Sequence, residues 1–370
     1  MKKNKLIAMI LAVLLLAFVA VGCAAATPAT PAPAAPGAAA PAAAPAADDQ
    51  PTFLIAFSVK DQNNPIFVDM ADGVRDFIDW YNAEVAGYEK FILNMQAATG
   101  ETMVEEQITM HETFIAMNAA AIISTPLASD PFVDFVLRCN ELGIPFINID
   151  TRVNSRLLAE AGGMYDIFIG TDREWMGRAL INTLIEDWPD GVNYILLGGN
   201  PGTSTHIDMY RGIRGITAEL GPEFNELAFE YCMWQEALAL EAMTNFLPAH
   251  PTLQAVVTFN DQMAQGTIAA IESFGLVPGE DIIVYGSNFV GNAPRFIYEG
   301  VQRSSISAAP WWTGWYASQA AINAILGVSP LLPNMCLETN SYLFESRVFR
   351  QGDFQLIDGR PHDFDGNLLR

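Results

Sequence analysis

The chain is poor in basic residues, in cysteine and in histidine, and each scarcity removes a class of function. Against 42 Asp and Glu it sets 19 Lys and Arg, a formal charge of −23 at pH 7, which argues against nucleic acid and anionic lipid as partners. Cysteine occurs four times in 370 residues, at 23, 139, 232 and 336. The last three have no short-range spacing and form an odd set, so they read as buried apolar residues and not as a disulfide framework. His111, His206, His250 and His362 show no metal-ligand spacing, and neither a metal nor a cofactor is expected. Catalytic signatures are missing too: there is no GxSxG elbow, no GxxxxGK[ST] phosphate loop and no GxGxxG opening a helix. The nearest approach, GGNPGTS at 198–204, has no lysine to meet a phosphate and reads as a glycine-permitted loop lining a crevice. A binding protein is expected, not an enzyme.

The N-terminal region has a targeting pattern. Lys2, Lys3 and Lys5 precede an apolar run at 6–21, then Gly22 and Cys23, which is a secretory signal and not a fold element. The stretch Ala20-Val21-Gly22-Cys23 resembles a bacterial lipoprotein cleavage site, with Ala where Leu is usual. That resemblance implies a signal peptide at 1–22, a lipidated Cys23 and a membrane-anchored, extracytoplasmic location. Residues 23–50 are almost wholly Ala, Pro and Thr, too poor in bulky side chains to fold, and are expected to be a semi-stiff tether.

The remaining chain, from about 51 to 370, is long enough for two cores. Its opening unit at 53–81 sets the pattern. A β-prone apolar run at 53–59 leads into the polar pair Asn63-Asn64, then Pro65 and an apolar stripe (Phe67, Met70, Ala71, Val74, Phe77, Ile78, Tyr81) at helical spacing. Strand candidates recur at 91–95, 120–124, 145–150, 166–170, 193–197, 229–232, 253–259, 281–285 and 304–307. Helical patterns at 104–117, 131–142, 174–188, 208–220, 237–247, 262–274 and 312–326 alternate with them, the mark of a parallel α/β fold. Several strands end in polar clusters: Asp150-Thr151-Arg152, Thr171-Asp172, Asn260-Asp261 and Ser287-Asn288. Polar groups gathered at strand ends point to one ligand crevice.

The motifs NNPIF at 63–67, GIPFINID at 143–150, GTDREWMGR at 170–178, RGIRG at 211–215 and IIVYGSN at 282–288 together resemble the ribose-binding-protein-like solute-binding proteins of ABC importers. The resemblance implies the type I periplasmic binding protein fold, two Rossmann-like lobes joined by a three-segment hinge. Carried onto this chain, one lobe spans 52–170 plus 309–335 and the other 171–308 plus 336–370. It implies a monomer that clasps a small polar solute, a monosaccharide first, and delivers it to an ABC permease; a sensory membrane partner or a nucleoside ligand stands as the alternative. It further implies ligand contacts from Asn64, Phe67, Asp150, Arg211, Trp234, Asn260 and Asn288. A sugar presents hydroxyls that donate and accept, and an apolar face, which is what Asp, Asn, Arg and flat aromatics meet. Asp261, next to Asn260, is expected to cap the following helix. Thr151 stands where the family often has Arg after its carboxylate, and Asn288 where many relatives have Asp.

Overall fold

In the computed structural model the described residues are 50–328, 341–344 and 347–369, and all lie in one compact unit. The signal, the tether up to 49, Cys23, Cys336 and the hinge segment placed near 335–337 lie outside them. Among the described residues no helix is long and apolar enough to cross a membrane.

The alternation read from the sequence builds two sheets. The first run is β1 (Thr52–Val59), α1 (Pro65–Glu84), β2 (Lys90–Ala97), α2 (Val104–Ala116), β3 (Ala121–Ser124), α3 (Val133–Leu142), β4 (Phe146–Ile149), α4 (Ser155–Glu160) and β5 (Ile167–Thr171). The chain then crosses over. The second run is α5 (Arg173–Asp187), β6 (Val192–Gly198), α6 (Ser204–Thr217), β7 (Phe224–Tyr231), α7 (Glu236–Ala249), β8 (Ala255–Thr258), α8 (Asp261–Ser273), β9 (Ile283–Asn288), α9 (Ala293–Glu299) and β10 (Ser304–Ser307). Helix α10 (Pro310–Ile325) then packs on α1, against the first sheet.

With β11 (Ser341–Phe344) and β12 (Val348–Arg350) included, strand order is β11-β5-β4-β3-β1-β2 in one sheet and β12-β10-β9-β8-β6-β7 in the other, so the two repeat one topology. Within these two sheets every pairing is parallel except β10 with β12. Parallel strands covered by helices on both faces become continuous apolar runs, and β3, β4 and β8 are buried at every position. Close helix packing is built the same way twice. A Cβ on Gly73 of α1 would stand 2.0 Å from the Trp311 carbonyl of α10, and one on Gly177 of α5 would stand 2.1 Å from the Met209 carbonyl of α6. Trp315 stacks at 4.9 Å on Trp311 and edge-on at 5.0 Å to Phe77, so this aromatic group packs on α1.

The structure corrects the boundary at the C-terminal end. Residues 336–370 are expected in the second lobe, but β11 (Ser341–Phe344) pairs with β5 in the first sheet. The chain therefore reaches the second sheet only after Phe344, where β12 (Val348–Arg350) runs antiparallel to β10 and the hairpin of β13 (Gln355–Ile357) and β14 (Arg360–His362) follows. A strand of four residues is too short to show a periodicity. Helices α4 and α9, six and seven residues long, escape the sequence pattern for the same reason. Cys139 and Cys232 are buried free thiols, both pushed up to about 12 by burial, as their apolar reading requires.

Candidate functional site

In a parallel sheet the carboxyl ends of the strands open on a crevice, because the turns into the helices diverge there. Both sheets present those ends to one cavity. From the first come Lys60 after β1, Asn64 and Phe67 at the start of α1, Glu101 after β2 and Asp150 after β4; from the second come Arg173, Thr205, Trp234, Asn260 and Asn288.

Local structure fixes each of them. Asn64 caps α1, its Oδ1 accepting from the Ile66 amide at 3.2 Å while its Nδ2 donates to Glu101 Oε1 at 2.9 Å. It thus caps the helix and reaches the cavity at once, a division of labour open to an amide with separate donor and acceptor ends. Asp150 and Asn288 follow or end their strands with φ of 60° and 101°, and Trp234 has φ 67°. Asn and Asp tolerate this left-handed region better than most residues. Trp234 is 8 % exposed and its indole Nε1 has no partner, although a buried indole N–H ordinarily finds one.

Asp150 is the electrostatic centre. Lys60 Nζ donates to its Oδ2 at 2.7 Å and Arg173 Nη2 to its Oδ1 at 2.8 Å, with all three side chains at most 8 % exposed. Burial pushes the Asp150 carboxyl up, but the Lys60 and Arg173 cations together pull it below the usual range. Lys60 also donates to Thr151 Oγ1 at 2.5 Å and lies 5.4 Å from the Phe67 ring centroid. Arg173 reaches Asn288 Oδ1 at 3.3 Å through its other terminal nitrogen, so one guanidinium touches strand ends of both sheets. Glu101 is pushed up to about 7, chiefly by burial, against the pull of Lys60 and the Asn64 amide.

Of the seven residues expected to contact ligand, Asn64, Phe67, Asp150, Trp234, Asn260 and Asn288 line this cavity and Arg211 does not. Arg211 lies seven residues into α6, about 10 Å along its axis from the end that faces the cavity. Its side chain is 58 % exposed and pairs with Asp208 at 2.8 Å and Glu174 at 3.5 Å. It is a surface ion pair. The cap also moves by one residue: Asn260, not Asp261, caps α8, accepting from the Met263 amide at 2.8 Å and donating to the Trp234 carbonyl at 3.0 Å. Asp261 instead turns inward, where it accepts from Ser305, Gln302 and the Val290 amide.

Lys60, Glu101 and Arg173 went unread in the sequence. One signal was available: of the five lysines only Lys60 and Lys90 lie beyond the N-terminal region, and Lys60 falls in the first strand-to-helix loop. Arg173 reaches Asp150 from a helix start 23 residues on. No group of residues able to hold a metal ion occurs among the described residues.

This arrangement, two parallel α/β sheets of one topology facing each other across a polar cavity, has known counterparts. Residues 55–328 match the family model described as a periplasmic binding protein domain, and the chain belongs to that family. It is 26% identical over 274 residues to the ribose import binding protein of Escherichia coli (strain K12), covering 74% of this chain and 85% of that one. It is 24% identical over 256 residues to the D-allose-binding periplasmic protein of the same organism, with 69% and 79% covered. Among solved structures, a periplasmic solute-binding protein of an ABC transporter from Actinobacillus succinogenes with bound D-allose superposes with a TM-score of 0.72 at 25% identity, over 81% of this chain and 98% of that one. A solute-binding protein from Bacillus halodurans with bound myo-inositol shares the fold, at a TM-score of 0.70 and 20% identity over 82% and 96%.

Proposed function

We propose that this chain is the extracytoplasmic substrate-binding protein of an ABC importer, non-enzymatic, and that it captures a monosaccharide between its two lobes. The observation that carries this reading is the convergence of Asn64, Phe67, Asp150, Trp234, Asn260 and Asn288 on one cavity from both sheets. Two flat aromatics suit the C–H face of a sugar ring, and a buried indole N–H without a partner awaits an acceptor. Amide and carboxylate groups at strand ends suit its hydroxyls. Lys60, Glu101 and Arg173 join this set, and Arg211 leaves it.

The similarity to the ribose and D-allose proteins supports a sugar ligand and an importer as partner. The N-terminal signal and Cys23 support secretion and a lipid anchor, with 23–50 holding a monomeric binding unit off the membrane. The lobes assigned are 52–170 with α10 and β11, and 171–308 with the chain from β12 onward, joined by three crossings about which closure would expel water and strengthen each polar contact.

Isothermal calorimetry of the mature protein against pentoses, hexoses and polyols tests the reading. Binding of at least one sugar is expected, and silence across the panel would remove the sugar from the proposal.

A further inference from the structure

Glu101 stands apart from the other charges of the cavity. Lys60 and Arg173 both close on Asp150, which leaves that triad with one positive charge in excess. Glu101 lines the same cavity and is held through Oε1 by the Asn64 amide at 2.9 Å; among the described residues no cation pairs with it. With Glu101 ionised the four groups sum to zero, and with Glu101 protonated they sum to one positive charge. The groups around it are Asn64, Lys60 and Asp61 from the loop between β1 and α1, and Asp150 from the end of β4. Across the cavity stand Arg173, Trp234, Asn260 and Asn288, of which Arg173 alone is charged. A buried site tolerates little uncompensated charge, so the ligand's charge and the proton on this carboxyl must vary together. Burial pushes the carboxyl up to about 7, where either state is accessible.

Resting on the reading of this cleft as a sugar site, we propose that Glu101 sets the charge of the ligand it admits. Ionised, Glu101 leaves the cavity neutral and suited to an uncharged monosaccharide. Protonated, it uncovers the surplus positive charge of the Lys60–Asp150–Arg173 triad, which then receives the carboxylate of a sugar acid, an aldonate or uronate. The acid enters as a monoanion together with one proton, which resides on Glu101.

The test is calorimetry of the mature chain with neutral monosaccharides and their aldonates and uronates at pH 5.5 and 8.5, each in two buffers of different ionisation enthalpy. Sugar-acid affinity is expected to fall roughly tenfold to thirtyfold from the lower pH to the higher, with about one proton taken up on binding at the higher. Neutral-sugar affinity should move the other way, rising with pH, with about one proton released on binding at the lower pH. In Glu101→Gln, which keeps an acceptor for Asn64, the acid should bind alike at both pH values without proton uptake. The wild-type proton count is informative even if that variant does not fold. Neutral sugars binding while no acid binds at either pH, or acid binding that ignores pH in the wild type, would overturn this inference and leave the sugar site standing. Failure of every sugar, neutral or acid, would take both down.

Discussion

Asp150 and Asn288 occupy matching places in the two sheets, at the carboxyl ends of β4 and β9, which hold the same position in the two strand orders. Both have left-handed φ, both are buried, and one guanidinium, Arg173, reaches both. They differ in charge. The first lobe brings Lys60, Glu101 and Asp150 to the cavity, whereas the second brings Trp234, Asn260 and Asn288, with Arg173 as its one charged group there. A repeated scaffold has therefore been loaded unevenly: of the four charged groups three stand on the first wall, and beside Arg173 the second supplies a flat ring and amides. In that division the Lys60–Asp150 pair of the first wall is made before a ligand arrives, Arg173 crosses to it from the second wall, and the remaining second-wall groups need no counter-charge.

Making the two positions alike breaks the comparison. Asp150→Asn leaves Lys60 and Arg173 buried without their carboxylate, and removing one partner of a buried pair costs about 3–5 kcal/mol. Urea unfolding should show a loss of that size, together with lost ligand affinity. The reverse change, Asn288→Asp, should cost much less, because Arg173 is already in reach. A loss for Asp150→Asn no larger than for Asn288→Asp would mean that the first wall is not desolvated.

Within the charged wall, two carboxyl groups respond to pH in opposite senses. The Asp150 carboxyl is lowered, so its stabilising effect is present above the ordinary Asp range and is lost as pH falls through the folded-state value. Glu101 is raised from 4.5 to about 7. Between those values the folded state holds a proton that the unfolded state has released, so stability falls as pH rises, and above about 7 the full cost of a buried anion is felt. Glu101→Gln removes that cost. From pH 5 to pH 8 the stability of the variant relative to wild type should rise by on the order of 2 kcal/mol, read from paired urea titrations. A constant difference would show that Glu101 is not desolvated.

How much of this was open to a reader of the sequence follows from range. The strand at 53–59, the loop Asn63-Asn64-Pro65 and the apolar stripe of α1 are local, and the periodicities of 2 and 3.6 residues give them away. Asn64, Asp150, Asn260 and Asn288 are legible because each is polar and stands at a strand end or the helix start after it. Arg173 and Glu101 are illegible as site residues because their partners lie 23 and 37 positions away, a distance that only the packed sheets close. Arg211 misleads for the converse reason: a motif match carries no information on which turn of a helix faces a cleft. The placement of β11 beside β5 is likewise a long-range pairing that four residues cannot announce.

The neutral wall should yield smaller effects. Asn260 joins two structures by its amide, capping α8 and holding the Trp234 carbonyl. Asn260→Ala should cost about 1 kcal/mol through the lost cap, and the freed loop should show as a changed Trp234 emission spectrum. Asn260→Asp, which keeps the cap acceptor and loses the donor, separates the two roles. If both variants lower stability equally, the hold on Trp234 and not the cap is what matters.

The smallest effect separates the two arginines. Arg173 is 8 % exposed and its charge meets Asp150; Arg211 is 58 % exposed and its partners Asp208 and Glu174 are themselves reached by water. An exposed pair gains little over hydration and is screened by salt. Arg211→Ala should change unfolding stability by less than about 0.5 kcal/mol and leave ligand affinity untouched, whereas Arg173→Ala should lower both. Measured side by side at low and high salt, the Arg211 effect should vanish with added salt while the Arg173 effect persists, since a buried guanidinium is shielded from counter-ions. Loss of ligand affinity in Arg211→Ala would return that arginine to the site and require α6 to turn a different face toward the cavity.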